Sequence, residues 1–245
     1  MIAISILTFR RAAETASVML YIMGFVIANV VSDAPVFELL DMDPKRGKES
    51  TILFGTVLLV GLGVLVSVFN AASDIPRDKS SRFIAILLSR PLSRFEYLLG
   101  KYFGTLCLGL FNTISWITAL VFFRSESMSM QQMLDQYTIL LVFLPATAIA
   151  ITISCFLADI VSMVVTFIVL IFSVVNGIVP ILLAISPGSI QKFILNIYFV
   201  FPNFLLFLQN YNDMIGFASL LVYSLSLSAI FLYFAYLIFD SGDVF

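Results

Sequence analysis

The amino-acid sequence predicts an all-α membrane protein with six transmembrane helices. Of its 245 residues, 61% are apolar and only 11% are charged, whereas a soluble globular domain carries about 25% charged residues. The mean hydropathy is +1.08, so the chain has more apolar surface than a water-soluble core would need. The apolar residues stand in continuous runs of about 20 residues, the length that crosses a bilayer as a helix, and not in the alternating pattern of a membrane barrel.

Six runs with few or no charges are each long enough to span the hydrocarbon core. They are Ala12–Val31, Thr51–Asn70, Tyr102–Phe123, Tyr137–Leu157, Ile160–Ile185 and Met214–Phe239. In the fifth run, Asn176, Gly177 and Pro180 predict a kink, because proline removes one backbone hydrogen bond and crowds the preceding turn. The whole chain, residues 1–245, is expected to form a single transmembrane domain.

The segment 186–213 is too apolar for a solvated loop and too interrupted for a span. Pro187, Gly188 and Pro202 break it, and its one charge before Asp213 is Lys192. We expect it to form two short re-entrant or interfacial helices in the outer leaflet before the sixth span.

Basic residues indicate which side of the membrane each connection occupies. Arg10 and Arg11 precede the first run, and six more basic residues lie in the segment 74–101, between the second and third runs. That is eight of the thirteen Lys and Arg residues, so the positive-inside rule places this side, and both chain termini, in the cytoplasm. The expectation is a multi-pass protein of the inner (cytoplasmic) cell membrane. Three basic residues of the first connection argue the other way, namely Lys45, Arg46 and Lys48.

The composition excludes several kinds of chemistry. The chain has no histidine, which removes histidine-based acid–base catalysis and histidine-ligated metals. Its formal charge of −2 gives no basic surface for nucleic acid. Cys107 and Cys155 each lie within an apolar run, so neither a disulfide nor a redox pair is expected. Because no nucleophile–base pair or metal-ligand cluster stands out, we expect no enzyme activity, no metal and no cofactor in this chain.

The cytoplasmic connection, residues 74–101, has the features of two helices joined by an elbow. The first helix is predicted over residues 78–89, with Asp78 or Ser80 as its N-cap. Its apolar residues fall at the spacing of a helical stripe. They are Phe83, Ile84, Leu87 and Leu88.

The elbow follows from two local rules. Pro91 disfavours helical geometry at Arg90 and so ends the first helix. Ser93 and Glu96 have the spacing of a capping box, in which each side chain accepts a hydrogen bond from the other residue's backbone amide. A second helix is therefore predicted to begin at Arg94 and to continue into the third span.

The residues alone leave two interpretations of the first, basic helix open. It could lie on the membrane surface, with basic side chains attracted to anionic lipid headgroups at about 1 kcal/mol each. The side chains concerned are Arg82, Arg90, Arg94 and Lys101. Alternatively, its charged and apolar faces could seat it in a groove of a cytoplasmic partner, whose motion the stiff join to the third span would transmit.

The run IAILLSRPLSRFEYLLGKYFG, Ile84–Gly104, resembles the signature connection of ABC-2 type permeases, the membrane subunits of ABC transporters. In that family a helix is followed by a Leu-Ser-Arg-Pro elbow, a Ser-Arg pair and a Leu-Gly-Lys-Tyr start of the third span. The segment YFVFPNFLLF, Tyr198–Phe207, is similar to the extracytoplasmic stretch of permeases of the copper-maturation and gliding-type subfamilies. The chain departs from the family pattern at 78–83, where the family often has an acidic pair and a Gly-Thr.

The resemblance implies that the helix 78–89 is a coupling helix that contacts an ATPase subunit. The residues implied for that contact and its elbow are Asp78, Arg82, Phe83, Leu87, Arg90, Pro91, Ser93, Arg94 and Glu96. The chain lacks the G-x-x-x-x-G-K-[ST] motif that cradles phosphates, so ATP and Mg would bind a separate ATPase subunit.

The expected function is that of a permease in an ATP-driven exporter. The permease would pair with a second permease chain, as a homodimer or heterodimer, and would contact membrane lipid and ABC ATPase subunits but no nucleic acid. The alternative is a non-transporting membrane anchor or scaffold subunit of an assembly or maturation complex.

Overall fold

The computed structural model describes residues 2–15, 22–28, 44–81, 93–124, 138–176, 179, 202–208 and 214–241. Within these ranges the chain is helical, with no strand. The helices are α1 (Ile2–Thr15), α2 (Pro44–Ser80), α3 (Arg94–Arg124), α4 (Phe143–Ser154), α5 (Asp159–Val175) and α6 (Met214–Ser241). A 3₁₀ helix spans Phe204–Leu208, and residues 22–28 form a further helical segment. The all-α prediction is therefore confirmed for this part of the chain.

Among the described residues, two helical stretches are long and apolar enough to cross a membrane, Gly55–Ser80 and Ile215–Ser241. Thr138–Ser154 and Asp159–Val175 are shorter apolar helices. The number of spans, six, stays a prediction.

α3 and α6 begin and end close to the predicted boundaries. α1 covers Ile2–Thr15 and overlaps only the beginning of the run predicted at Ala12–Val31. α2 begins at Pro44, before the predicted start at Thr51, and continues to Ser80, past the predicted end at Asn70. At these places charged residues suggested a boundary, but a charged side chain does not interrupt backbone hydrogen bonding, so the helix continues through it.

α2 and α3 run antiparallel and form the centre of the bundle. Lys101 of α3 forms an ion pair with Asp74 of α2. The Ser67 hydroxyl of α2 donates a hydrogen bond of 2.9 Å to the backbone carbonyl of Thr105 in α3. α4 packs against both helices and against α6, where the Thr152 hydroxyl donates to the Phe231 carbonyl at 2.8 Å.

α1 packs along α3 at a point where only glycine leaves enough room. A Cβ added at Gly104 would lie 2.7 Å from Thr8 Cβ and 2.8 Å from the Ser5 carbonyl oxygen. This glycine closes the G-x-x-x-G pattern that begins at Gly100, and such patterns allow close helix approach in membranes.

The polarity of α5 is the reverse of that of a soluble helix. Its buried residues are mostly small and polar, namely Ser162, Thr166, Leu170 and Ser173. Its exposed face carries large apolar side chains such as Ile160, which is 75% exposed, Val164 and Ile168. α6 likewise exposes Ile215 and Val222. In water such faces would be costly, whereas hydrocarbon solvates them.

Candidate functional site: the charged end of the bundle

Five helix ends meet at one end of the bundle, and charged side chains cross-link them there. The C-termini of α2, α4 and α6 lie beside the N-termini of α3 and α5. We call this region the charged end and define it by Asp74, Arg77, Asp78, Lys79, Arg94, Lys101, Asp159 and Asp240.

Lys101 is the centre of the charged end. Its side chain is 1% exposed, and its Nζ lies 2.9 Å from Asp74 Oδ2 and 2.8 Å from Asp78 Oδ2. Asp74 and Asp78 are four residues apart on α2 and therefore face the same side. A buried ammonium group needs such partners, because an unpaired charge in a low-dielectric interior is very costly. The three side chains thus tie α2 to α3.

Tyr97 completes this network from α3. Its hydroxyl donates to Asp78 Oδ2 at 2.9 Å, and its ring stacks on that of Phe239 with centroids 5.7 Å apart. Burial, and then the neighbouring Asp78 carboxylate, raise the pKa of Tyr97 well above its ordinary value. The phenol therefore keeps its proton and acts as a permanent donor to Asp78.

The capping box predicted at the start of α3 is confirmed. The Ser93 amide donates to Glu96 Oε2 at 3.0 Å, and the Glu96 amide donates to Ser93 Oγ at 3.2 Å. The backbone hydrogen bond from Ser93 lowers the pKa of Glu96, because it stabilises the carboxylate form. α3 therefore has a defined first residue, at the place where the connection 82–92 joins it.

Arg94 joins the start of α3 to the end of α6. Its Nη1 donates to the carbonyl oxygens of Phe239 and Asp240, at 3.2 and 2.8 Å, and lies 3.3 Å from Asp240 Oδ1. The last carbonyls of a helix lack helical donors and carry partial negative charge. A guanidinium group at this position satisfies them and fixes the two helices together.

Lys79 and Arg77 connect α2 to three further helix ends. Lys79 Nζ donates to the carbonyl of Cys155, at the end of α4, and lies 5.7 Å from the centroid of the Phe239 ring. Arg77 Nε lies 3.2 Å from Asp159 Oδ2 at the start of α5. This last pair is exposed, so it contributes little to stability.

Pro76 lies inside α2, between the two aspartates that bind Lys101. Proline has no backbone amide hydrogen, so the Ala72 carbonyl loses its usual helical donor. The helix is therefore easier to bend at this point than elsewhere, directly beside the cross-link to α3.

The structure corrects two expectations about the cytoplasmic connection. Asp78 lies inside the last turns of α2 and not at the start of a separate helix, because its carboxylate is buried against Lys101 and Tyr97 and serves the packing of α2. Lys101 is buried and binds Asp74, so the interpretation that it contacts lipid headgroups is wrong. Arg94 binds the backbone at the end of α6.

The other expected contact residues have different outcomes. Ser93, Arg94 and Glu96 lie together at the charged end, on the first turn of α3. The remaining ones lie outside the described residues, namely Arg82, Phe83, Leu87, Arg90 and Pro91.

Sequence reasoning missed most partners in this network. The spacing of Asp74 and Asp78 was a usable signal, because it places two acids on one helical face within reach of a basic partner. Nothing local pointed to Asp240, which is far from Arg94 in the sequence and meets it only through packing.

No protein-family model matches this chain, and no curated protein matches it either. In the described part of the chain, no group of three or more Cys, Asp or Glu residues is placed to hold a metal ion. Each cation of the charged end instead neutralises an acid or a helix C-terminus. This arrangement holds the helix ends together.

Proposed function

We propose that this chain is the membrane-spanning subunit of an ATP-driven ABC transporter, an exporter that works with two ATPase subunits and a second permease chain. In this proposal the charged end faces the cytoplasm, and both termini lie on that side of the inner membrane. Cargo moves by alternating access, driven by ATP binding and hydrolysis on the partner subunits.

The outer surface of the bundle supports the membrane placement. α5 and α6 turn large apolar side chains outward, and α5 turns small polar ones inward. Two helical stretches have the length and apolarity of spans. A bilayer is the solvent in which this distribution is stable.

The helix ends on both sides of the connection 82–92 are fixed to each other, and this supports a role of the connection in coupling. On one side, Ser81 follows α2 directly, and its amide donates to the Arg77 carbonyl at 3.0 Å. On the other side, the Ser93 capping box begins α3. Lys101 ties the two helices to each other just behind these points. A force applied to the connection would therefore act on α2 and α3 as one unit.

The remaining cross-links extend that unit through the bundle. Lys79 connects α2 to the end of α4, and Arg94 connects α3 to the end of α6. When ATP draws the two ATPase subunits together, the connection would move with them and the linked helix ends would follow. Bending of α2 at Pro76 would let the rest of α2 respond while the cross-links stay intact.

The test uses tagged protein purified from its native membrane together with its bound chains. Mg-ATP hydrolysis is measured, and hydrogen exchange of α2 and α3 is compared with and without Mg-ATP, so no cargo needs to be known. Replacing Ser93→Ala and Glu96→Ala together should leave ATP hydrolysis in place but abolish the ATP-dependent change in exchange. Ser241→Ala, an exposed serine at the end of α6, is the matched control and should behave as the wild type.

Two results would contradict the proposal. A purified assembly that contains no ATPase and hydrolyses no ATP would reject the transporter and favour the membrane anchor. An ATP-dependent change in exchange that survives loss of the capping box would reject the elbow as the route of coupling.

A further inference from the structure

The bundle contains an apolar groove far from the charged end. Its walls are formed by α2, α5, the 3₁₀ helix and the segment just before α4, and its cavity volume is about 400 Å³. Side chains typical of these walls are those of Val57, Val64, Val142, Ile171, Val174 and Phe207. We call this cavity the outer groove.

The position of the outer groove along α2 places it in the outer half of the bundle. Gly61 lines the groove, and Asp78 marks the charged end on the same helix. At a rise of 1.5 Å per residue, these two residues are separated by roughly 25 Å along the axis, most of a hydrocarbon core about 30 Å thick. With the charged end at the cytoplasmic surface, the groove lies at the depth of outer-leaflet acyl chains.

The 3₁₀ helix that closes one end is held in place by α6. The Asn203 amide donates to the Tyr223 hydroxyl at 3.4 Å, and the Leu205 amide donates to Asn203 Oδ1 at 3.1 Å. The ring of Phe207 packs on that of Tyr223, with centroids 6.2 Å apart. This wall is therefore positioned by contacts that do not require an occupant.

Among the described residues, the α5 side of the groove is open to the surroundings of the bundle. Val174 is 48% exposed and Ile171 is 46% exposed, although both line the cavity. A Cβ added at Gly61 would meet no atom of the described residues within 4 Å. The groove is therefore continuous with the apolar outer face of α5, the face that contacts lipid in the proposed membrane placement.

We propose that the outer groove binds one acyl chain of an outer-leaflet phospholipid, an inference that rests on the proposed membrane placement. Every side chain that lines it among the described residues is apolar, so water would find no polar partners there. A hydrocarbon chain in the groove makes dispersion contacts with the lining side chains, which these side chains would lack if the groove were empty. The volume of about 400 Å³ lies within the range of about 300–1,000 Å³ of small-molecule sites.

The experiment uses the full chain in phospholipid nanodiscs. A phospholipid with a photoreactive diazirine in one acyl chain is cross-linked, and mass spectrometry locates the label with and without an excess of the unlabelled lipid. We expect saturable labelling concentrated on the groove segments of α2, α5 and residues 204–208. Labelling of the outer face of α6, around Val222, should be weaker and should not saturate.

Two variants fill the groove from different walls, Gly61→Leu and Val174→Trp. Each should lower the saturable labelling about tenfold, the change expected when the new side chain displaces about two methylenes of the bound chain. Val222→Leu, an exposed position on α6, is the matched control and should leave the labelling unchanged. Circular dichroism establishes that each variant keeps its helical content.

The outcomes separate this inference from the proposed function. Labelling that is spread evenly over all lipid-facing helices, or that both filling variants leave unchanged, would overturn the groove site and leave the membrane placement standing. A groove that excludes the lipid because another segment of the chain fills it would give the same unsaturable labelling and also overturn the site. If neither the groove nor the region around Val222 is labelled, the membrane placement itself fails.

Discussion

Replacing Lys101→Met tests whether the charged end holds the bundle together. The substitution keeps most of the length of the side chain and removes its charge. It would leave the carboxylates of Asp74 and Asp78 facing each other with their shared cation gone, beside a side chain that is only 1% exposed. In the native arrangement the ammonium group lies within 3 Å of both acids.

The expected magnitude follows from burial. Removing one partner of a buried ion pair costs about 3–5 kcal/mol, because an uncompensated charge remains in a low-dielectric site. Asp78 is as buried as Lys101, whereas Asp74 is 17% exposed and can reach water more easily. Adding Asp78→Asn to Lys101→Met removes the more costly carboxylate, so the double variant should recover most of the lost stability.

The assay is reversible unfolding in mixed detergent micelles, followed by tryptophan fluorescence. Trp116 is the one tryptophan of the chain and is fully buried, so its emission reports on packing within the bundle. Arg77→Met is the matched control, because its ion pair with Asp159 is exposed and should contribute about 0–1 kcal/mol. A Lys101→Met variant that unfolds no more easily than Arg77→Met would refute the central role of the buried network.

Three further variants test individual parts of the bundle. Tyr97→Phe removes the donor to a buried carboxylate and should cost about 1–3 kcal/mol in the same unfolding assay, whereas Tyr233→Phe, on the exposed face of α6, should stay within about 0.5 kcal/mol of the wild type. Gly104→Leu must overlap α1 and should lower stability by about 1–3 kcal/mol; Gly61→Leu, where a Cβ meets open space, should show no comparable loss. Because the pKa of Glu96 is lowered in the folded state, its contribution is present at neutral pH and is lost as the pH falls below about 4.3, the ordinary pKa of a glutamate. Glu96→Gln should therefore lose less stability on acidification than the wild type, and equal acid sensitivity would exclude this role for the carboxylate.

The charged end also explains how a strongly apolar bundle accommodates cations at helix ends. Lys79 and Arg94 bind carbonyls at the C-termini of α4 and α6, where the helix dipole is negative. Lys101 binds two acids of a neighbouring helix. Basic residues that the positive-inside rule uses to predict orientation thus join helices in the structure.

Local patterns were reliable where the interaction itself is local. The Ser93 and Glu96 capping box lies within one turn, and the structure has both of its hydrogen bonds. The helices α4 and α6 lie where continuous apolar runs predicted them. In each case the responsible contacts are made within a few residues of sequence, so neither depends on the rest of the fold.

The same local rules were wrong for Asp78. Aspartate is a favoured N-cap residue, so Asp78 was a predicted start of a new helix. In the structure α2 continues through Asp78, because this residue is held by Lys101 and Tyr97 of α3. Contacts between α2 and α3 therefore outweighed the N-cap preference of aspartate. These contacts depend on how the two helices are aligned, which no single segment of the sequence specifies.

The sequence by itself determined the helical class, the apolar character and the start of α3, since each follows from composition or from neighbours along the chain. Only the tertiary structure decided which charges meet, which face of α5 is buried and where α2 and α5 leave a groove. The physical reason is that burial and ion pairing depend on the distances between helices, and packing of the whole bundle sets those distances.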